Sequence, residues 1–301
     1  FHVSNALDKN NLKASIILEP IGKNTTAAIY LAAKNSAKND ILLIMSSDAL
    51  ITDNQYFSNK IDLVYKNFDN KNWVIFGIQP TYPAEQFGYI NVKLEKNQIN
   101  EIFNKVENFV EKPSKQNAES MIEKKSFFWN AGIFMGNASM IIDSIKLHAP
   151  EIAEACDNAC KTSNHNQLND EIHFNYEVFN QIPSQSIDYS VMEKADNVIL
   201  SPLECEWDDV GSWDALSRIS KAKNIQKNIF QISTKNTFIK NDKRVIATIG
   251  VEDLIIIDSD NATLVAKKGH SEKVKDIVEE LKAKKIIEAD EHSFEIRPWG
   301  K

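Results

Sequence analysis

Cysteine is scarce, long apolar runs are missing, and positive charge is not in excess. The three cysteines among 301 residues, Cys156, Cys160 and Cys205, cannot build a disulfide framework. Cys156 and Cys160 lie one helical turn apart, but no neighbouring Cys or His completes the four ligands of a zinc site. A reduced, cytosolic protein is the expectation. No run approaches the ~20 apolar residues that span a bilayer, and no secretory signal is read. Acidic residues outnumber basic ones, 42 to 35, and the net charge is -7, so a nucleic-acid partner has no electrostatic footprint. The six histidines are scattered, and none is spaced as a metal or catalytic pair.

What remains is a globular chain. Apolar residues make up 43% and charged residues 26%, ordinary values for a folded protein. The length suits one large domain and a smaller one.

The stretch Trp207-Asp208-Asp209-Val210-Gly211-Ser212-Trp213 organises the reading. It follows the apolar run 198–203 and leads into a helical pattern at 214–219. A strand that delivers carboxylates onto a glycine turn before a helix suits a hard divalent cation, which takes oxygen ligands from one or two carboxylates and from substrate phosphates. The same residues would also serve as an acidic turn capping a helix, with both tryptophans in the core.

Along the chain, a short apolar run at 14–18 ends at Glu19-Pro20, where proline stops a strand. Gly22-Lys23-Asn24-Thr25 opens a helix over 26–38. The continuous apolar run 41–45 reads as a strand buried on both faces, ending at Ser46-Ser47-Asp48. Helical spacing over 54–65 precedes a second buried strand at 73–78. Alternating strands and helices predict an α/β fold with a mostly parallel sheet. Ligands of such sheets sit beyond the carboxyl ends of the strands, where Glu19, Asp48 and Gly77 are expected. Strand ends at 87–90 and 109–113, a helix over 115–124 and a strand over 129–135 follow. Residues 138–191 read as mostly helical, broken at Pro150 and Pro183, with a short helix opening at Ile187-Asp188-Tyr189. Beyond Ile225, short β runs at 230–232, 237–239, 245–249, 254–257 and 263–265 suggest a sandwich, barrel or β-helix. An amphipathic helix over 273–284 would cover its open end.

Set in this order, several stretches carry a resemblance. They are Glu19-Pro20-Ile21-Gly22-Lys23-Asn24-Thr25, Phe87-Gly88-Tyr89-Ile90, Phe109-Val110-Glu111-Lys112-Pro113 and Asn130-Ala131-Gly132. The run from Ser186 to Lys194, Trp207 through Trp213, and Ala247-Thr248-Ile249-Gly250-Val251-Glu252-Asp253-Leu254 continue it. Together they resemble the bacterial mannose-1-phosphate guanylyltransferases, in the long form often fused to a mannose-6-phosphate isomerase domain. The resemblance implies a Rossmann-like nucleotidyltransferase domain over 1–224 and a small β-helix-like domain over 225–286. Residues 287–301 would be a linker and, at Arg297-Pro298-Trp299-Gly300, the start of an isomerase domain.

It also implies transfer of GMP from GTP to mannose 1-phosphate, releasing pyrophosphate and forming GDP-mannose for polysaccharide synthesis. Asp48 and Asp209 match the pair that holds Mg2+, and Asp48, Lys112 and Asp209 the catalytic set. Alone, Asp48 could as well cap the helix after it. Gly88, Glu111, Asn130, Gly132 and Asp188 would bind the sugar. Glu111 would accept from hydroxyls, and the Lys112 ammonium would meet the sugar phosphate. Glu19, Lys23, Asn24 and Thr25 would face the nucleotide, with Glu19 reading the guanine N1–H and N2–H2 donors. A cytoplasmic protein and a homodimer built through the β-rich tail complete the implied picture.

Two departures bear on activity. The family's Gly-rich loop, which holds the triphosphate through backbone N–H groups, is not found, and the chain opens at Phe1 rather than Met. Ser46-Ser47-Asp48-Ala49 stands where the family shows Pro, a small residue, Asp and His. A truncated chain that holds sugar phosphate better than it turns over GTP is therefore expected. The alternatives are a non-catalytic relative and a nucleotidyltransferase for another hexose 1-phosphate. Isomerase activity would need a metal-binding cupin, which is not read here.

Overall fold

The computed structural model describes residues 2–95, 98–167, 170–219 and 228–286. The chain forms two compact units, Phe1–Ser47 with Ile51–Trp207, and Asp48–Leu50 with Asp208–Lys301. This division falls earlier than the 224/225 boundary expected from sequence. That boundary and the expected linker at 287–301 both lie outside the described residues.

In chain order the first unit opens with α1 (His2–Lys9), β1 (Ile16–Leu18), α2 (Asn24–Lys34) and β2 (Ile41–Ile44). Strand β3 (Leu50–Ile51), α3 (Asn54–Asn67), β4 (Trp73–Ile78), β5 (Gly88–Val92) and β6 (Asn104–Glu111) follow. Then come α4 (Lys115–Ile122), β7 (Phe127–Asn137), α5 (Ala138–His148), α6 (Pro150–Lys161), β8 (Asn164–Asn166) and β9 (Glu171–His173). Short helix α7 (Tyr176–Phe179), a π-helical turn at Asp188–Met192 and β10 (Val198–Leu203) complete the series, while β11 (Trp207–Asp208), like β3, has one residue in each unit.

Strand β4 is the centre, with all six residues buried. Such a run cannot face water on either side, and alternate residues supply the two cores. Trp73 and Ile75 join Tyr30, Leu31, Phe134, Ile141 and Ile145 on one face. Val74 and Phe76 join Val64, Trp129 and Met135 on the other. The sheet runs β2-β7-β4-β10-β6-β5, with β5 also pairing with β7.

Among the described residues of this sheet, only the β4–β10 pairing is parallel. The expectation of a mostly parallel sheet is corrected: β7 inserts antiparallel between β2 and β4, and β6 pairs antiparallel with β10 and β5. A continuous apolar run reports burial on both faces and not the direction of its neighbours. Pro202 fits inside β10 because β6 pairs only with Ile199 and Leu200, leaving the proline beyond the antiparallel ladder.

Strand β1 belongs to a separate three-stranded sheet, β1-β9-β8, so Glu19 does not end a strand of the main sheet. Gly77 lies inside β4, where a Cβ would meet Leu200 Cδ1 at 2.6 Å, and not at the strand's open end. The antiparallel pair β8–β9 replaces part of the helical stretch read over 138–191.

The second unit holds α8 (Trp213–Ile219), β12 (Ile229–Ile232), β13 (Phe238–Asn241), β14 (Ile246–Ile249), β15 (Leu254–Asp258), β16 (Thr263–Lys267) and α9 (Val274–Ala283). Strand β12 pairs parallel with β14, and β13 with β15, each residue meeting one a coil later in sequence. That stacking gives the β-helix-like reading its form, and β16 closes it antiparallel on β15. Asp258, buried at 4% exposure, is matched by Arg244, whose Nε and Nη2 lie 3.0 and 2.6 Å from its two oxygens.

Candidate active site

The end of β6 builds a cluster of polar side chains within the first unit. Gly88 of β5 stands directly opposite Glu111 in the antiparallel ladder. A Cβ at Gly88 would come within 2.5 Å of Glu111 Oε2 and 2.9 Å of Phe109 Cζ, so the glycine makes room for the Glu111 side chain to lie across the strand. Glu111 Oε1 meets the Lys112 ammonium at 3.1 Å, while Oε2 is buried with no hydrogen-bond partner. Burial and the nearby Asp188 charge raise the Glu111 pKa, only partly offset by Lys112. Lys112 holds φ +49, a left-handed state uncommon for a non-glycine residue. Burial would lower its pKa, but Glu111, Tyr189 and Asp188 raise it in net.

Asp188, the first residue of the π-helical turn, accepts from Asn130 Nδ2 at 2.8 Å. Asn130 Oδ1 in turn accepts the Gly132 N–H at 2.9 Å, which fixes the amide's orientation. Gly132 has open space around its missing Cβ but holds φ +66, so conformation rather than room calls for glycine. Burial raises the Asp188 pKa despite Asn130, Lys112 and the Ser186 hydroxyl. The structure therefore brings Gly88, Glu111, Lys112, Asn130, Gly132 and Asp188 into one connected set. Sequence reading missed Glu193, whose Oε1 accepts the Glu111 N–H at 3.3 Å and pins the strand end from the far side of the π-helical turn. Its signal lay in the 186–194 stretch, where only Asp188 was singled out.

The residues read as nucleotide ligands run from the end of β1 into the first turn of α2. Glu19 Oε1 is buried without a partner, and burial raises the carboxyl's pKa. Lys23 is not free-standing: its ammonium donates to the Asn180 backbone oxygen at 2.7 Å and to Oδ1 at 3.1 Å. Asn24 begins α2 at φ +67, and its Oδ1 accepts the Thr25 N–H at 2.9 Å. Thr25 Oγ1 accepts from the Ile187 N–H at 2.9 Å, and the buried Thr26 and Ser190 hydroxyls meet at 2.7 Å. These contacts tie the start of α2 to the segment that carries Asp188.

The two aspartates read as metal ligands, Asp48 and Asp209, both fall in the second unit. Burial raises the Asp209 pKa, with the Gly211 N–H opposing and the Asp208 and Asp48 charges adding to the rise. Asp208 is matched by Arg218, whose Nη2 lies 3.0 Å from Oδ2. Val210 holds φ +43, a genuine outlier for a β-branched residue. Among the described residues no group of three or more His, Cys, Asp and Glu is placed to hold a metal. The donors offered are instead two hard carboxylates, one of them half-buried beside like charge. That set fits Mg2+, which draws its remaining ligands from water and substrate phosphates.

Comparison with known proteins gives a consistent picture. The profile of the nucleotidyl transferase family matches residues 2–226, and that of the "MannoseP isomerase/GMP-like beta-helix domain" matches 227–281. A mannose-1-phosphate guanylyltransferase of Salmonella muenchen is 37% identical over 97% of this chain. The chain spans 63% of that relative's length. Among solved structures, one titled mannose-1-phosphate geranyltransferase, from Thermus thermophilus, superposes with a TM-score of 0.72 at 28% identity, covering 88% of this chain and 77% of its own. Another, titled mannose-6-phosphate isomerase from Helicobacter pylori, gives 0.61 at 29% identity over 69% of this chain and 80% of its own.

Proposed function

The chain belongs to the nucleotidyl transferase family, and from that premise we propose that the protein transfers GMP from GTP to mannose 1-phosphate, forming GDP-mannose. The observation that carries the reading is the buried, unpartnered Oε2 of Glu111, set beside Lys112, Asp188 and Asn130. Such a group costs stability unless a ligand supplies its donor. Neighbouring hydroxyls of a hexose supply donors, and the phosphate at its first carbon supplies the anion that Lys112 needs.

An oxygen of the sugar phosphate attacks the α-phosphorus of GTP. The new P–O bond forms as the bond to the bridging oxygen of the β-phosphate breaks, and pyrophosphate leaves. Such transfers need positioning and charge neutralisation more than covalent help. Lys112 neutralises the sugar phosphate as a point charge, while Glu111 and Asp188 fix the hexose through its hydroxyls. Mg2+, when bound by Asp48 and Asp209, supplies the remaining neutralisation of phosphate charge. Glu19 reads guanine, supported by its unpartnered Oε1, because adenine offers no matching pair of donors. Lys23 and Thr25 act through the position of the α2 N-terminus, which their contacts hold. A GTP-dependent reaction of this kind belongs in the cytoplasm. Self-association through the β-rich tail is supported by Phe230, Ile232 and Ile249, which are 57%, 63% and 70% exposed.

A pyrophosphate-release assay tests the reading. Release that requires GTP, Mg2+ and mannose 1-phosphate together is expected, slow beside mannose 1-phosphate binding because the family's Gly-rich loop is not found here and Ala49 stands where the family has His. No release, or release that prefers UTP with another hexose 1-phosphate, would overturn it. A parallel arm with mannose 6-phosphate and no nucleotide tests the activity named for the Helicobacter structure.

A further inference from the structure

Asp48, Asp209 and the β-rich tail share the second unit, and polar contacts carried through the short helix α8 run from the 208–211 turn to the tail. It begins at Asp214, the second residue of α8. Asp214 Oδ1 accepts the Gly269 N–H at 2.7 Å, and Oδ2 accepts the Ser271 N–H at 3.1 Å and hydroxyl at 2.6 Å. In return the Asp214 N–H donates to Ser271 Oγ at 3.0 Å. Burial alone would raise the carboxyl's pKa, but these donors and Arg218 bring it below the ordinary value.

One turn along, Arg218 reaches back: its Nε and Nη2 donate to Asp208 Oδ2 at 3.3 and 3.0 Å. Asp208 Oδ1 accepts the Val210 N–H at 3.2 Å, and Asp209 Oδ1 accepts the Gly211 N–H at 3.3 Å. Trp213 lies under the Lys240 ammonium of β13, 5.4 Å from the ring centre.

Helix α8 has seven residues among the described ones. Isolated helices below roughly 12–15 residues are marginal in water, so contacts from outside the helix decide where this one sits. The left-handed Val210 is a strained conformation for a β-branched residue, and it persists only where surroundings over-determine the backbone.

We propose that Asp214 is a positioning residue that clamps the tail turn at 269–271 to α8 and thereby holds the 208–211 turn in the form in which Asp209 takes a divalent cation. The β-rich tail is then part of the frame of the metal site rather than an appendage. The inference rests on the metal role given to Asp209 above.

The test uses the intact chain and two variants, Asp214→Asn and the milder Ser271→Ala, which keeps both backbone donors. Mn2+ is titrated by electron paramagnetic resonance with GDP-mannose present, Mg2+ activation is read from pyrophosphate release, and mannose 1-phosphate binding from calorimetry. Mn2+ affinity and Mg2+ activation are expected to weaken together, about tenfold in Asp214→Asn, the lower end for partners that orient metal ligands, and less in Ser271→Ala. Mannose 1-phosphate binding, which depends on residues of the first unit, is expected to stay at the wild-type value. Unchanged Mn2+ affinity in both variants, with loss of amide protection at Gly269 and Ser271, would reduce the clamp to a structural contact and overturn the inference. Absence of Mn2+ binding in the wild type would remove the metal reading and this inference together, whereas wild-type binding that survives Asp214→Asn removes the inference alone.

Discussion

Gly88→Ala puts a methyl group where the Glu111 carboxylate now lies. The added Cβ would sit 2.5 Å from Oε2, 2.9 Å from Phe109 Cζ and 3.2 Å from its Cε1. The carboxylate is the movable neighbour, because the Phe109 ring is packed against the core. Two effects follow. Overpacking costs about 1–3 kcal/mol of stability, and the carboxylate swings away from its position over the strand. Each hydrogen bond between a sugar hydroxyl and a charged group contributes roughly 1.5–3 kcal/mol, so losing one weakens mannose 1-phosphate about ten- to a hundredfold. Calorimetry on the folded variant reads the affinity, and a double-mutant cycle with Glu111→Gln identifies the route. If Gly88→Ala acts through Glu111, the two losses fall well short of additive. A folded Gly88→Ala protein with wild-type affinity, or fully additive losses, would refute the reasoning.

Asp188→Asn is expected to stabilise the unliganded protein while weakening mannose 1-phosphate. Burial raises the Asp188 pKa in the fold, so wild-type stability is fully present below the unfolded carboxylate's pKa and falls as pH rises through the folded one. The gain in Tm should be present at neutral pH and vanish in acid; a Tm difference independent of pH would contradict this. Glu19→Gln should narrow the preference for GTP over ATP, and an unchanged ratio in competition kinetics would remove Glu19 as the guanine reader. Thr26→Val leaves the fully buried Ser190 hydroxyl without its partner at 2.7 Å, a cost of about 1–3 kcal/mol in urea unfolding. A neutral result would show that the pair does not secure α2 to the π-helical turn. Ile232→Glu, on the exposed face of β12, should shift the sedimentation coefficient from dimer to monomer, and an unaltered species would place self-association elsewhere.

Elements that depend on one stretch of chain were legible in the sequence. The run 73–78 announced a buried strand, 115–124 a helix, and the regular β runs after 225 the tail. What depends on partners distant in sequence was not. Nothing in 41–45 or 127–137 says that β7 lies between β2 and β4, because burial on both faces looks the same in parallel and antiparallel sheets. Strands β8 and β9 are short and largely polar, and the pairing of β9 with β1 joins residues far apart in sequence. In the site, residue types were readable at Glu111, Lys112 and Asp188, whereas the closeness of Gly88 to Glu111 required the register. Lys23 and Thr25 read as free ligands because a sequence does not show that Asn180 and Ile187 engage them. Asp214 passed unnoticed for the same reason: its partners lie more than fifty residues away.

A crystal structure with GDP-mannose and Mn2+ tests the central claim most directly. The account predicts a hexose hydroxyl within hydrogen-bond distance of Glu111 Oε2, the sugar-linked phosphate at Lys112, and an anomalous peak at the Asp209 carboxylate. A hexose bound away from Glu111, with Oε2 still lacking a partner, would contradict it.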